Sequence, residues 1–455
     1  MEKTYILIEI YSIQSFILKS KKLKDLCNSS IIAKTFFEGS KQILSDVLNI
    51  PEKNINDKFK NNITKYKLYK IDGLKGTVSD DKASRIKEKL YLNTINDMLL
   101  AKKLESDLSI EINDKLLAKE LKSDLPIEIV VCDNLDLNKM FLKIENKKKE
   151  YKENYQCKER INNYCPVCEK RKISKINDEK CELACNLCYI IRNYKESRFE
   201  STQSYAVRGK YCFIKLDIDN LGIKNAEMDG FNDKLGLSRD VKEFSDRFDQ
   251  EKIDCIYFGG DDILFITTPR RLENDIEEIK EYFKKLKDKY QLTYSMSITI
   301  AKGKSDMHNV LRKLNNNLNN IKSIKGKDKT IISFLDSSES EIKVVLDNMY
   351  VLEYLELIKY FNSDNNEINI SSDLINKIDI LLNKFEDKFN LDINSIFDSF
   401  IKKQIKRLFF CKMTKVDGEI YSKFEKFYNE NLKYNYNVEF NKDNYIQGLK
   451  FLSLV

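Results

Sequence analysis

The sequence predicts an α+β chain: two ferredoxin-like domains, a zinc ribbon between them in sequence, and a C-terminal helical bundle. Three observations lead there. A strand, helix, hairpin, helix, strand pattern runs from Tyr211 to Ala301, the order of a ferredoxin-like domain, with another helix at 310–321, and a strand, helix, strand, strand pattern fills residues 3–79. Two Cys-x-x-Cys pairs lie between these segments. Beyond about Asp336 the apolar spacing is almost wholly helical, with little glycine.

A length of 455 residues suggests roughly two to four domains, divided here as 1–137, 138–205, 206–336 and 337–455. Apolar residues make up 42% and charged residues 33%, enough for packed cores under a charged surface. A net charge of +7 permits contact with an acidic polymer or polyphosphate without requiring it. No apolar window is long enough to cross a bilayer, and the start lacks an export signal, so a cytoplasmic protein with no membrane partner is expected. In that setting the 11 cysteines point to metal rather than disulfides. The one histidine, His308, excludes hydrolase and nuclease sites built from several, and is itself expected in an ordinary loop.

The elements follow in order. Residues 4–10 are β-branched and aromatic, as in a strand. Residues 13–48 carry Phe16, Ile17, Leu23, Leu26 and Ile31 at helical spacing. Residues 66–71 and 77–78 flank Asp72-Gly73, a candidate hairpin turn. Residues 96–102 and 106–108 are echoed by 113–119 and 123–125, a tandem duplication expected to extend a surface helix. Residues 138–180 are basic. Lys147, Lys148, Lys149, Arg171 and Lys172, interleaved with Tyr151, Tyr155 and Tyr164, read equally well as an RNA contact or a solvated linker. Cys165, Cys168, Cys185 and Cys188 have the spacing of a four-thiolate structural zinc site, with Cys157 and Cys181 as worse-spaced substitutes.

The chemistry concentrates in the second ferredoxin-like segment. A strand at 211–218 carries Asp217 at its end, followed by Asp219, and alternation places both acids on one face. A second strand at 255–258 leads into Gly259-Gly260-Asp261-Asp262, and residues 263–267 return. A Gly-Asp turn alone is common on surfaces. An acidic strand upstream, in the right fold order, makes it a site. Nucleotidyl transfer needs divalent metal where the attacking and departing oxygens develop charge, and magnesium prefers one or two carboxylates plus phosphate and water. Asp217, Asp261 and Asp262 are the candidate catalytic residues. With the carbonyl of Ile218 they would hold Mg2+ or Mn2+, while Gly259 and Gly260 admit phosphate to the backbone.

The run Leu216-Asp217-Ile218-Asp219-Asn220-Leu221-Gly222, followed by Tyr257-Phe258-Gly259-Gly260-Asp261-Asp262, resembles the catalytic palm of the Cas10 family, the large subunit of type III CRISPR effector complexes. That palm is of the kind shared by polymerases and GGDEF cyclases. The resemblance continues through Ser297-Ile298-Thr299-Ile300-Ala301 and Ile321-Lys322. Ile10 to Ile17, Lys22-Leu23-Lys24-Asp25 and Ser29-Ser30 resemble the family's first palm, and Tyr445 to Leu449 gives a weaker match. The resemblance implies two palms facing each other. Nucleotide would be bound by Ile218, Asp219, Asn220, Gly259, Gly260, Lys322, Ser12 and Gln14, with Lys325 and Lys327 assisting. It implies ATP as substrate, pyrophosphate as by-product, and cyclic oligoadenylate made on sensing target RNA. The implied partners are other type III subunits, with guide and target RNA reached through the complex.

Departures qualify this. The family usually has serine and glycine where this chain has Tyr11 and Ser12, and Ile71 to Gly76 stands where a catalytic acid pair is expected, so the first palm reads as non-catalytic. The HD nuclease domain of many relatives is not expected here, in keeping with the lone histidine. Some relatives without it join AMP to S-adenosylmethionine, which is the alternative co-substrate. A diguanylate-cyclase-like enzyme and a non-enzymatic scaffold are the remaining readings.

Overall fold

The computed structural model describes residues 3–11, 13–18, 23–58, 66–74, 78–100, 114–132, 139–140, 142–143, 146, 165, 175–177, 182–194, 202–207, 209–228, 230–249, 254–259, 261–302, 305–324, 327–335, 341–361, 373, 375–380, 422, 446–447 and 449–450. They form a mixed α+β protein with two large sheets and one small one.

In the first, β1 (Lys3–Ile10) is followed by α1 (Ile13–Ile17), α2 (Leu23–Thr35), α3 (Ser40–Leu48), β2 (Ile55–Asp57), β3 (Tyr66–Asp72), α4 (Asp80–Leu100), α5 (Asp114–Asp124) and β4 (Ile127–Cys132). The order β2-β3-β1-β4, all antiparallel, is ferredoxin-like. As a central strand β1 has both faces covered, so Ile6, Leu7, Ile8 and Ile10 are all fully buried. The Tyr91 hydroxyl of α4 donates to the Leu125 carbonyl and accepts from the Ile127 N–H, which pins the helix to the start of β4.

Two expectations change here. Asp72-Gly73 is not a hairpin: the chain leaves β3 through left-handed Gly73 (φ +79°) and enters α4, whose first turn carries Asp80 and Asp81. The hairpin is β2–β3. The duplication does not extend one surface helix either. Its first copy ends α4 and its second makes α5, which buries Leu117, Ala118 and Leu121.

Next come β5 (Lys175–Asn177) and β6 (Glu182–Ala184), an antiparallel pair, and α6 (Asn186–Asn193). Arg192 of α6 grips the buried Asp25 carboxylate of α2 with two nitrogens, at 2.8 Å and 3.1 Å. Asn28 of α2 donates to the carbonyls of Ile191 and Arg192.

The second large sheet comprises β7 (Lys210–Ile218), β8 (Asp254–Phe258), β9 (Asp262–Thr267), β10 (Tyr294–Lys302), β11 (Lys329–Leu335) and β12 (Glu341–Asp347). The helices are α7 (Leu221–Glu227), α8 (Phe231–Asp249), α9 (Leu272–Tyr290), α10 (Met307–Lys322) and α11 (Val351–Phe361). In the order β12-β11-β10-β7-β9-β8, the last four strands repeat the ferredoxin arrangement. β11 adds parallel to β10 through the α10 crossover, and β12 returns antiparallel. The sheet therefore runs past the boundary expected at residue 336, because Ile342, Val344 and Leu346 alternate as a strand requires. Most of the expected C-terminal bundle lies outside the described residues.

Compact units do not follow sequence order. One contains Met1–Thr202, Gly222–Arg247 and Ile256–Asp261, and the other Gln203–Leu221, Phe248–Cys255 and Asp262–Val455. Within the first, Leu235 of α8 packs on a cluster of Tyr5, Leu7, Tyr11, Leu68, Val130 and Met140. No described helix is long and apolar enough to cross a membrane.

Candidate active site

The site grows from the end of β7. Asp217 stands opposite Asp262, the first residue of β9, and opposite Ser295 of β10. Both acids are buried, with 4% and 8% of their surface exposed. Burial first, and then the neighbouring Asp262, hold the Asp217 carboxyl well above the ordinary carboxylate range, while Lys322 pulls it back. The two carboxyls are within hydrogen-bonding reach, and Lys322 Nζ lies 2.6 Å from Asp217 Oδ2. Two acids packed together in low dielectric need a shared proton or a cation. A hard divalent cation fits this donor set.

Lys322 arrives through the amphipathicity of α10. Val310, Leu311, Leu314, Leu318 and Ile321 are buried, and Lys322 is the helix's last residue. Asp306 caps the start by accepting the His308 N–H, so His308 sits in the first turn of a helix rather than in a loop.

Asp219 shares a face with Asp217 but is used differently. Its N–H donates to the Thr293 carbonyl at 2.8 Å. Its carboxylate accepts from Thr293 Oγ1 at 2.9 Å, Ser295 Oγ at 2.7 Å and the Asp328 N–H at 3.2 Å. Three donors hold it, and it closes the end of the strand. Asn220, exposed and left-handed (φ +57°), accepts from Lys327 Nζ at 2.6 Å. Ile218 is a strand residue with a buried side chain. Gly259 is buried, and a Cβ there would overlap the Tyr257 hydroxyl, so glycine is what lets that ring fold back over the turn. Asp261 is half-buried in the turn itself. Gly260, Lys325 and Ser12 lie outside the described residues, and Gln14 is placed only as part of α1. Thr293, Ser295, Asp328 and Asn348 were not anticipated, and nothing local in their sequence marks them.

Cys165, Cys185 and Cys188 bring their sulfurs within 4.8 Å of one another, the one such group of potential metal ligands among the described residues. All three are buried, and Cys185 and Cys188 sit at the start of α6. A soft tetrahedral ion fits three converging thiols. Cys168, Cys157 and Cys181 lie outside the described residues, as do the basic and aromatic residues named between 147 and 172.

Residues 210–331 match the second palm domain of Cas10/Cmr2. No curated protein matches the chain. Among solved structures, Csm1 in T. onnurineus is 13% identical, with a TM-score of 0.53 over 99% of this chain and 69% of that one. The Csm1–Csm4 cassette in complex with cA4 gives 11% identity and a TM-score of 0.54 over the same shares, 99% and 69%. The cassette in complex with one ATP gives 12% and 0.50, over 99% of this chain and 70% of that one. At such identity the likeness is one of fold. Residues 210–331 thus carry the second palm domain described for Cas10/Cmr2, within a chain whose fold is like that of Csm1.

Proposed function

We propose that the second palm transfers AMP from ATP to an acceptor hydroxyl with release of pyrophosphate, and that the product is cyclic oligoadenylate. The observation that carries this is the buried Asp217–Asp262 pair with Lys322 against it. Its supports are the match to the Cas10/Cmr2 second palm and the likeness to Csm1 structures that contain cA4 or ATP.

Asp217 and Asp262 would hold Mg2+ or Mn2+, with Asp261 and the Ile218 carbonyl completing the set. The metal would neutralise charge developing on the attacking and departing oxygens. The chain's own residues do the rest. Lys322 offsets triphosphate charge, Gly259 and Gly260 admit phosphate to the backbone, and buried Asp217 and Asp262 keep the reacting centre away from bulk water. Cys165, Cys168, Cys185 and Cys188 would hold a structural zinc. The working division is a first palm over 1–137, a basic zinc segment over 138–205, the catalytic palm over 206–336 extended by β12, and a helical remainder. Partners would be a Csm4-like subunit, the other type III subunits, and guide and target RNA.

A second reading is favoured by Tyr11, which is buried where the family usually carries serine. A first palm so altered suits a different acceptor, and S-adenosylmethionine is the one to test. The assay is the purified complex with target RNA, magnesium and labelled ATP, with and without S-adenosylmethionine, resolved by mass spectrometry. An adenylate ring from ATP alone supports the first reading. A product that needs S-adenosylmethionine supports the second. Unchanged product from Asp261→Ala/Asp262→Ala would sink the site.

A further inference from the structure

The loop joining α10 to β11 contains two consecutive non-glycine residues in the left-handed region, Lys327 (φ +41°) and Asp328 (φ +53°). That conformation is costly for residues with side chains and persists only where the surroundings impose it. Here they do. The Asp328 N–H donates to Asp219 Oδ2 at 3.2 Å, and Asp328 Oδ1 accepts from Asn348 Nδ2 at 2.8 Å. The Asp328 carbonyl accepts from the Asn348 N–H at 3.1 Å. Asn348 is buried and anchored in turn: its Nδ2 donates to the Tyr294 carbonyl, and its Oδ1 accepts from Thr330 Oγ1, both at 2.6 Å. Asp219 is itself fixed by Thr293 and Ser295.

This buttress sets Lys327 over Asn220, just past the strand end that bears Asp217. The two lysines at the site differ in their partners. Lys322 lies on a carboxylate, so its charge is largely offset. Lys327 rests on an amide oxygen, so its full charge remains, and its partner Asn220 is exposed.

We infer that Asp219 is a positioning residue rather than a metal or nucleotide ligand. Through the Asp219–Asp328–Asn348 buttress it presents Lys327 as a second cation for the triphosphate. Lys327 waits on Asn220 and exchanges that amide for phosphate oxygen when nucleotide arrives. This rests on the second palm being the ATP site.

The test uses the intact effector complex, with ATP turnover followed against ATP and against Mg2+ concentration. Lys327→Ala should raise the ATP KM about tenfold, the value of one charge-assisted contact, with the loss falling on KM rather than kcat. Lys327→Arg should recover most of it. Asp219→Asn should reproduce the KM effect at an unchanged Mg2+ requirement, and combining it with Lys327→Ala should add little, because one acts through the other. An unchanged KM in Lys327→Ala overturns the inference. So does an Asp219→Asn variant that needs more Mg2+, which would make Asp219 a metal ligand. Lys327 has a half-exposed side chain, so its variants test the idea even if Asp219→Asn folds poorly. Persistent product in Asp262→Ala would instead remove the underlying palm assignment, a separate failure.

Discussion

The two large sheets share a strand order, so they can be compared residue by residue where β1 and β7 end. The Tyr11 N–H donates to the Pro126 carbonyl at 2.7 Å just as the Asp219 N–H donates to Thr293 at 2.8 Å. Glu9 stands opposite Tyr66 and Glu128, where Asp217 stands opposite Asp262 and Ser295. One frame thus carries two chemistries. In the second sheet acid faces acid across β7 and β9, and hydroxyls satisfy the remaining carboxylate. In the first, tyrosines replace two of those acids and the acidic pairing moves to β1 and β4, with Glu128 answered by Lys87 at 2.8 Å. Burial first, then Glu128 and Glu9, push the Tyr11 hydroxyl far above its ordinary range, so it is no anionic substitute for aspartate. Asp72, in the segment read as standing in place of a catalytic acid pair, lies opposite Lys3 at the other end of the sheet. The fold supplies the slot, and the residues at three or four register positions decide its use.

The largest expected effect would break the comparison outright. Asp217→Ala or Asp262→Ala should lower product formation by about 10³-fold or more, the scale of losing an electrostatic anchor of the transition state. Glu9→Gln should leave the Mg2+ concentration for half-maximal rate where it was. A Glu9 variant as damaging as Asp262→Ala in the same titration would mean that both sheets carry catalytic acids.

Gly259→Ala should also cost activity, because the new methyl displaces Tyr257. Replacing the ring as well, in Gly259→Ala/Tyr257→Val, should return part of it. No recovery would place the defect in the glycine backbone. Arg192→Ala removes the guanidinium that grips the buried Asp25 and should destabilise the first unit by about 3 kcal/mol in denaturant unfolding. The smallest effect is expected at Asp72, a partly exposed partner of Lys70. Asp72→Ala should change stability by less than about 1 kcal/mol and leave product untouched, whereas lost product would overturn the non-catalytic reading of the first palm.

Strands β7, β8 and β9 were legible because their apolar runs are continuous: the expected 211–218, 255–258 and 263–267 stand against Lys210–Ile218, Asp254–Phe258 and Asp262–Thr267. Asp217 and Asp262 were legible because a strand end and a hairpin turn are local features. The hydrogen bonds of Asp219 were not, since its partners lie 74, 76 and 109 residues away. Alternation told which face it shares, and only the fold tells what else reaches that face. β4 was missed although Ile127, Ile129, Val130 and Val131 are strand-forming, because the duplicated helical segment ahead of it dominated the pattern. β12 was missed because its apolar alternation is short and charged residues flank it.

A chain that repeats one strand order also risks pairing its strands with the wrong copy while it folds. The three-residue edge strand β2, with Asp57 tied to Lys67 at 2.8 Å, offers an intruding strand little backbone to join. In the other sheet, β11 and β12 cover the free side of β10, and β11 does so through the α10 crossover, for which the first sheet has no equivalent among the described residues. Timing separates the copies further. β4 completes the first sheet at Cys132, well before β7 begins at Lys210, so on a translating ribosome the first copy can close before its competitor exists.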